Sequence, residues 1–403
     1  MFKRCPMFKK EALNMALQLW KKGGFTVRFW NGTEKSYGST PPKFKVIFKK
    51  EPSFSPSDLK EDLDVLIGSA YVDGIVDFEG DLDDIVATAF EKDPVELPYH
   101  LGSLRQRLIK EEEKQEKANI HAHYDLGNEL FDTFLDPTKT YSCAYFKQDS
   151  NSLYEAQMNK IDLSLRKLFL KPGEKLLDIG CGWGELIIYA AKKYGVHAYG
   201  ITLSEEQYKT AKERIHKEGL DGKVDVILEN YLDLDSDEYQ FDKIVSIGMF
   251  EHVGKKYLPL YFNKVSSLLK PGGLFLLHSI LNMDPQEKQT KNWMTKYIFP
   301  GGYVPGIRET VSLFPLFGLR MVGFESLRRH YAKTLHLWAE AFNAHKDSLP
   351  DKYDEKFKRL WDIYLRGCES GFRTGVLDVG QFILSKGINN DLPMTMESIY
   401  NDK

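Results

Sequence analysis

LLDIGCGWG, at residues 176–184, is an apolar strand followed by a glycine-rich turn that opens a helix. In a doubly wound sheet such a turn lies at the carboxyl end of the first strand, where ligands bind. Gly180 and Gly182 allow the backbone to turn tightly and to approach a ligand closely. The G-x-G-x-G spacing differs from the G-x-G-x-x-G of dinucleotide sites and favours a ligand without a pyrophosphate. Asp178 either orders this loop or binds the charged end of the ligand.

Strands and helices alternate on both sides of this turn. Strands are predicted at 176–180, 197–202, 225–230, 243–248 and 273–280, and helices at 184–194, 204–218 and 257–269. This alternation predicts an α/β fold with a Rossmann-like, doubly wound, mostly parallel sheet. Apolar spacing predicts two further long helices, at 330–345 and 352–373.

The region before this sheet has a different pattern, which predicts a smaller α+β domain at residues 1–103 with a lipid-binding or accessory role. Its predicted strands, at 25–30 and 43–49, are accompanied by an Asn31-Gly32 turn signal, and its predicted helices are at 55–74 and 81–93. Residues 104–122 are rich in charge and indicate a solvated helical linker. The catalytic domain is then expected at 123–390.

Composition excludes several classes of protein. The net charge is -3, so the chain as a whole does not attract nucleic acid or an anionic membrane. No apolar run approaches the ~18 residues that span a bilayer, and no signal peptide is predicted. The four cysteines have no paired spacing, which argues against a disulfide framework or a zinc site and is typical of a reducing cytosol.

Polar residues follow the next two strands of the predicted sheet. The second strand ends at Thr202, which precedes Leu203 and Gln207, where many nucleotide sites have an acidic residue. The third strand ends at Asn230-Tyr231, and the tyrosine ring is placed to stack on an adenine. A tight turn without any ligand remains the alternative for the glycine loop alone.

The motifs LLDIGCGWG, GITLSEEQ, VSIGMFEHVG, YDLGNELF and YSCAYF together closely resemble the cyclopropane-fatty-acyl-phospholipid synthases and their mycolic acid relatives. The resemblance extends from about residue 120 to 385, and the additional N-terminal region resembles the members that act on phospholipids. It implies an enzyme that transfers a methylene from S-adenosylmethionine to the cis double bond of an unsaturated phospholipid. The alternative is a fatty-acyl C-methyltransferase that makes a methyl branch.

The resemblance also implies a location and a site. The enzyme would be a cytoplasmic homodimer, peripheral at the inner face of the membrane, and would bind no nucleic acid. The implied cofactor-binding residues, to which Asp178 is added from its position, are Tyr141, Ser142, Asp178, Gly180, Cys181, Gly182, Trp183, Gly184, Thr202, Leu203, Gln207, Asn230 and Tyr231. A bicarbonate would be held by Cys143, Glu251, His278, Tyr331 and the backbone of Ile280. Cys368 matches a cysteine labelled catalytic in the family.

The chemistry of methylene transfer explains why these residue types are needed. Attack by an alkene on the sulfonium leaves a carbocation that must be shielded from water and then deprotonated. Aromatic faces stabilise such a cation, and the chain has 25 Phe and 21 Tyr. A bound bicarbonate is an expendable base, whereas a carboxylate beside the cation would be alkylated.

Each residue also has a plainer interpretation when it is considered alone. His278 would be a core histidine with satisfied hydrogen bonds, Glu251 a helix N-cap, and Cys143 a small apolar residue. His252 is either a helper in the site or a surface residue.

Two segments are candidates for membrane contact. One is residues 1–10, MFKRCPMFKK, for which a surface helix packed on its own domain is the favoured interpretation. The other is residues 296–306, where Tyr297, Phe299 and Tyr303 flank Gly301-Gly302 and predict a mobile lid on an acyl channel.

Overall fold

The structure is a computed structural model, and it describes residues 23–52, 63–90, 127–285 and 293–401 with a few positions before residue 23. These residues form two sheets, one of four strands and one of seven. The predicted linker 104–122 and nearly all of residues 1–10 lie outside the described residues.

The small N-terminal sheet has the strand order β2-β1-β3-β4, with β1 and β3 parallel and the flanking pairs antiparallel. The predicted turn at Asn31-Gly32 is confirmed: Gly32 has a φ of 81°, which glycine adopts without strain, and joins β1 to β2. Val27, Val46 and Val76 form the core under the sheet. The elements are β1 (Phe25–Arg28), β2 (Glu34–Tyr37), β3 (Phe44–Phe48), α1 (Leu63–Val72), β4 (Val76–Glu79) and α2 (Leu82–Phe90).

The large sheet has the order β10-β11-β9-β8-β5-β6-β7. Its strands are β5 (Lys175–Ile179), β6 (His197–Thr202), β7 (Val224–Leu228), β8 (Phe241–Ile247), β9 (Leu269–Asn282), β10 (Leu319–Ser326) and β11 (Leu377–Lys386). The pairs from β9 to β7 are parallel, whereas β11 lies antiparallel between β9 and β10. The predicted α/β, mostly parallel sheet is therefore confirmed, and β10 and β11 are additions that the prediction lacked.

Helices cover both faces of this sheet. They are α3 (Asn128–Phe131), α4 (Leu153–Arg166), α5 (Glu185–Tyr194), α6 (Glu205–Lys217), α7 (Leu258–Leu268), α8 (Trp293–Tyr297), α9 (Ile307–Leu313), α10 (Arg328–His345), α11 (Glu355–Arg373) and α12 (Glu397–Tyr400). The helix α4, which was not predicted, begins at a capping box in which Ser152 and Glu155 satisfy each other's backbone N–H groups. Among the described residues, no helix is both long and apolar enough to cross a membrane.

The strand order places a crevice at the carboxyl end of β5. The chain adds β6 and β7 on one side of β5 and then returns to add β8 and β9 on the other side. Such a reversal separates the loops that follow the two central strands, and ligands bind in the resulting gap.

The small domain packs against α11 of the large one. The Arg359 guanidinium donates to the carbonyl oxygen of Tyr71 at 2.8 Å, and the Ser370 hydroxyl donates to the Asp83 carboxylate at 2.6 Å. Arg373 forms an ion pair with Asp83 at 3.2 Å. The helix α11 is therefore bound from one side by the N-terminal domain.

Candidate active site

A pocket lies at the carboxyl ends of β5, β6, β7 and β8, at the predicted reversal point. All of the predicted cofactor-binding residues line it except Gly184. Gly184 instead begins α5 with a φ of 85°, and a Cβ there would lie 3.1 Å from the Cβ of Ala211 in α6. Gly184 therefore permits the close packing of two helices, and its contact with the cofactor stays a prediction.

The glycine loop has the backbone conformation that the sequence predicted. Gly180 and Gly182 have φ values of 87° and 54°, which residues with a Cβ rarely adopt. The N–H groups of Gly180 and Cys181 both donate to the carbonyl oxygen of Ile201 at 3.0 Å, which ties the loop to the end of β6. The pocket floor is thus bare backbone held in a fixed position.

One end of the pocket is formed by residues at and just beyond the carboxyl ends of β6 and β7. There the Thr202 hydroxyl donates to the Gln207 side chain at 2.8 Å, and Asn230 accepts a backbone N–H from Leu232 at 3.0 Å. The Tyr231 ring packs edge-on against Tyr261 at 5.5 Å between centroids. Thr202, Gln207 and Asn230 are buried, and each side chain is fixed by a hydrogen bond, so this end offers a preformed polar surface to a ligand.

The other end of the pocket lies between β5 and β8, and it contains buried charges. Burial raises the pKa of Asp178 to about 7, an effect that the nearby Lys160 ammonium opposes. Lys160, in α4, donates to the Ser142 hydroxyl at 2.9 Å. The sequence pattern does not single out Lys160, because a lysine inside an amphipathic helix resembles a solvated surface residue.

Glu251 lies in a short 3₁₀ turn, Phe250–His252, just after β8. Its Oε1 accepts the N–H of Ile280 at 2.6 Å, a group left without a strand partner because β8 ends at Ile247. The N-cap interpretation of Glu251 is therefore wrong. Burial raises the pKa of Glu251 to about 7, and its Oε2 is buried without a hydrogen-bond partner among the described residues.

His278 is oriented by a chain of buried side chains. The Lys167 ammonium donates to Oε1 of Gln381 at 2.6 Å, so the amide nitrogen of Gln381 faces Ser164 and Nδ1 of His278, each at 3.0 Å. An amide nitrogen only donates, so Nδ1 accepts and the imidazole proton is on Nε2. Burial lowers the pKa of His278 well below its ordinary value, and the charges of Lys160 and Lys167 lower it further.

The Nε2 of His278 has no hydrogen-bond partner among the described residues, although it is buried. The core-histidine interpretation, with every hydrogen bond satisfied, therefore does not hold. His278 and Ile280 are two residues apart on β9 and face the same side of the sheet. One donor and one acceptor, Nε2 of His278 and Oε2 of Glu251, are thus buried without partners.

Tyr331, in α10, lies in the same apolar cluster as Cys143 and Ile280. Burial raises the pKa of Tyr331 well above its ordinary value, so its hydroxyl stays protonated and can donate a hydrogen bond. Cys143 is fully buried, and its thiol donates to the carbonyl oxygen of Ala144 at 3.2 Å. Cys143, Ile280 and Tyr331 therefore share one cluster, and the hydrogen bond to Ile280 connects Glu251 to it. His278 lies two residues before Ile280 on β9.

Cys368, in α11, packs against the same apolar cluster as Tyr331. Burial raises the pKa of the Cys368 thiol, and no neighbouring cation opposes that effect among the described residues. The thiolate is therefore scarce near neutral pH. A nucleophilic cysteine requires the opposite, a cationic environment that lowers the pKa.

Aromatic rings surround Tyr141, which lines the pocket and lies in the segment between α3 and α4. Phe131, Phe134 and Trp338 lie 5.3, 5.9 and 5.2 Å from the Tyr141 ring, measured between centroids. The hydroxyl groups of Tyr141 and Tyr364 are joined by a hydrogen bond of 2.6 Å. The number of aromatic residues is evident from the sequence, but their convergence is not, because they come from α3, α10, α11 and the segment between α3 and α4.

The predicted lid, residues 296–306, is packed more tightly than a membrane contact would be. Tyr303 is 7% exposed, and its N–H donates to the carbonyl oxygen of Glu251 at 2.8 Å. Phe299 packs against Tyr364 and against the ring of His252, which lines the pocket and is not a surface residue. Of the three rings, Tyr297 is the one that is substantially exposed, at 36%.

Comparison with known proteins agrees with this geometry. A family model described as mycolic acid cyclopropane synthetase matches residues 111–382, and one described as a domain of unknown function (DUF7884) matches residues 12–97. The chain is 41% identical over 369 residues to a cyclopropane-fatty-acyl-phospholipid synthase of Escherichia coli K12, covering 88% of this chain and 91% of the relative. It is 35% identical over 381 residues to a probable fatty acid methyltransferase of Pseudomonas putida, covering 93% and 95%.

A solved mycolic acid cyclopropane synthase in complex with SAH and CTAB is 39% identical, with a TM-score of 0.63, and covers 67% of this chain and 98% of that one. The fold and the pocket define an S-adenosylmethionine-dependent methyltransferase. The chain belongs to the mycolic acid cyclopropane synthetase family. The family resemblance predicted from the motifs is therefore confirmed.

Proposed function

We propose that this methyltransferase converts the cis double bond of an unsaturated phospholipid acyl chain into a cyclopropane ring. The observation that best supports this substrate is the aromatic cluster around Tyr141, adjacent to the cofactor pocket. The named activity of the E. coli relative, which resembles this chain across both domains, supports the same substrate class.

S-adenosylmethionine, when bound, supplies an electrophilic methyl group on a sulfonium. The alkene attacks that methyl carbon, the bond from carbon to sulfur breaks, and a positive charge develops on the acyl chain. The rings of Tyr141, Phe134 and Trp338 stabilise such a charge by cation–π attraction. Because they are apolar and closely packed, they also exclude the water that would trap the cation.

We propose that Cys143, Glu251, His278, Ile280 and Tyr331 hold a bicarbonate. Bicarbonate has one hydroxyl to donate and other oxygens that accept. Two of the buried atoms without partners among the described residues match it: Oε2 of Glu251 as acceptor and Nε2–H of His278 as donor. When bound, a bicarbonate would supply the base that removes a proton from the transferred methyl group, and the released C–H electron pair would close the ring onto the cationic carbon. Glu251 then positions that base and increases its basicity by accepting its hydroxyl proton.

Product analysis tests the proposal directly. The protein is incubated with unsaturated phospholipid vesicles and S-adenosylmethionine, and the acyl chains are released and analysed by mass spectrometry. The expected product contains one additional CH₂ group and no double bond, without any added reductant. A methyl-branched chain formed only with a hydride donor would instead establish the alternative, a fatty-acyl C-methyltransferase. Turnover in carbonate-free buffer, with and without restored bicarbonate, separately tests the base.

We further propose that the enzyme acts at the inner surface of the cytoplasmic membrane. Tyr297 supports this, because it is exposed beside the Lys296 ammonium, which lies 5.1 Å from its ring, and such pairs suit a headgroup boundary. Replacing Tyr297 with Ser should weaken co-sedimentation with anionic vesicles. The predicted homodimer stays a prediction, which sedimentation equilibrium would test.

A further inference from the structure

Lys160 is a buried cation that the proposed base chemistry leaves unused. It lies in the middle of α4, is 2% exposed, and lines the cofactor pocket. Among the described residues, its ammonium makes one hydrogen bond, to the neutral hydroxyl of Ser142 at 2.9 Å. An ammonium has three N–H donors, so two remain available, and leaving them unsatisfied in a buried position is costly.

A buried carboxyl group lies at the same end of the pocket. Asp178 is 4% exposed, lines the pocket and interacts electrostatically with Lys160. Asp136 also acts on Lys160, but its carboxylate is already occupied by the N–H and hydroxyl of Thr138, at 3.0 and 2.9 Å. The pocket wall therefore presents one cationic and one acidic group at the same end.

The ends of the pocket differ in a way that orients a ligand. Lys160 and Asp178 lie near the ends of β5 and β8, since Ser142 contacts the position of a Cβ on Gly248. Glu229 and Asn230 lie after β7, two strands from β5, or about 10 Å across the sheet. A carboxylate ligand would be repelled by Glu229 at that end and attracted by Lys160 at the other.

We propose that Lys160 binds the α-carboxylate of the amino-acid group of S-adenosylmethionine, while Asp178 faces the α-ammonium of the same group. The buried pair is then complementary to a zwitterion, and the ligand completes the hydrogen bonds of Lys160. The inference rests on the methyl donor of the proposed function and is independent of the acyl substrate and of bicarbonate.

Ligand truncation separates this role from a structural one. Binding of S-adenosylhomocysteine is compared by calorimetry with binding of 5′-methylthioadenosine, which lacks the amino-acid group. Lys160→Met should weaken the binding of S-adenosylhomocysteine by about 30-fold or more, as expected for loss of a buried charge pair. The affinity for 5′-methylthioadenosine should change by less than about threefold. A matched control is Lys243→Met, which removes another buried lysine, 7% exposed, that does not line the pocket.

Three results would overturn the inference. Equal weakening of both ligands would show that Lys160 only supports the pocket, and unchanged binding of S-adenosylhomocysteine would show that it does not contact the carboxylate. Failure of the unaltered protein to bind S-adenosylhomocysteine at all would remove the methyl donor itself, a separate failure of the proposed function.

Should Lys160→Met not fold, as judged by circular dichroism, Lys160→Gln retains a donor for Ser142. The unaltered protein also gives an answer without any variant, through the decarboxylated analogue of S-adenosylhomocysteine. Binding of that analogue at least about 30-fold weaker than binding of S-adenosylhomocysteine supports a bound carboxylate, and equal affinity contradicts it.

Discussion

Glu251 is a carboxyl group whose two oxygens have different surroundings. Oε1 accepts a backbone N–H from β9, which fixes the side chain, and Oε2 is buried without a partner among the described residues. Burial raises the pKa of this group to about 7, so it changes charge near neutral pH. Small changes of pH therefore alter the state of the residue that positions the proposed base.

We expect turnover on vesicles to rise with pH as Glu251 ionises, with a midpoint at about 7. The sign follows from the role, because only the deprotonated carboxylate accepts the hydroxyl proton of the base. Below that pH the group is neutral and turnover falls. A pH profile of kcat checks this, and a flat profile between pH 6 and 8 would contradict it.

Glu251→Gln should keep cofactor binding and lose most turnover. The amide oxygen still accepts the Ile280 N–H, but the amide nitrogen cannot accept a proton, so kcat should fall by about 100-fold or more. Calorimetry with S-adenosylhomocysteine serves as the control for the fold. The rise of turnover with pH should also disappear, whereas its persistence would assign that titration to another group.

Cys368→Ser should change kcat by less than about threefold. Burial raises the pKa of this thiol, so it supplies little thiolate, and the proposed chemistry requires none. Vesicle turnover measures the effect. A loss of more than about tenfold would support the family label and give Cys368 a role that the geometry does not indicate.

At the residue scale, the sequence predicted what lies within continuous motifs. The glycine loop and the residues after β6 and β7 were found in this way, because the end of a parallel strand fixes where the next residues lie. Lys160 and Gln381 were missed, since their function depends on neighbours distant in the chain. The orientation of His278 requires Lys167 and Gln381, which no local pattern connects to it.

At the scale of elements, α4 and β11 hold the two halves of the site in place with buried glutamines. Gln157, in α4, donates to the carbonyl oxygen of Ser142 at 2.8 Å and so fixes the backbone of the Tyr141-Ser142 segment, which lines the cofactor pocket. Gln381, in β11, fixes His278. Both glutamines are completely buried, so they are comparable positions with different expected roles.

We predict that replacing the two glutamines with Met, which retains most of the side-chain volume, affects two different quantities. Gln381→Met frees Nδ1 of His278, so kcat should fall by about tenfold while binding of S-adenosylhomocysteine is retained. Gln157→Met should instead weaken that binding by about tenfold. Nitrogen-15 NMR of the imidazole should show a single Nε2–H tautomer in the unaltered protein and a mixture in Gln381→Met. Identical effects of the two changes would refute this division.

The same two elements show where prediction of the fold stopped. The strands β5 to β9 were predicted because they are apolar runs bounded by clear turns. The strand β11 contains Gly380 and Gln381 in its middle, which interrupts the apolar pattern. In α4, Lys160 is buried in the middle of the helix, and Lys167 is buried directly after its last residue. These charged residues interrupt the apolar spacing by which the buried face of a helix is recognised.

At the scale of the whole molecule, α11 is shared by the two domains. Its Ser370 and Arg373 contact Asp83 in α2, and its Tyr364 bonds to Tyr141 beside the cofactor pocket. One helix therefore contacts both the N-terminal domain and the aromatic cluster. A change in how the small domain docks can alter the aromatic cluster without altering the cofactor pocket.

Asp83→Lys should separate those two functions. The new lysine faces Arg373 and loses the Ser370 hydrogen bond, so docking weakens and vesicle turnover should fall by about 3- to 30-fold. Binding of S-adenosylhomocysteine should stay within about twofold. Asp84→Lys is the matched control, because the Asp84 carboxylate pairs with Lys43 and not with α11. Equal turnover in both variants would show that docking at Asp83 does not affect catalysis.

The contact between the N-terminal domain and α11 also limits which chimeras of this protein and its relatives can be made. The solved mycolic acid cyclopropane synthase matches 67% of this chain, so a chimera that grafts the N-terminal domain onto such a scaffold needs a matching receptor helix. That helix must carry Arg359, Ser370 and Arg373, since these residues make the polar contacts between α11 and the N-terminal domain. A chimera without these residues would leave the Asp83 carboxylate without its hydrogen bond to Ser370 and its ion pair with Arg373.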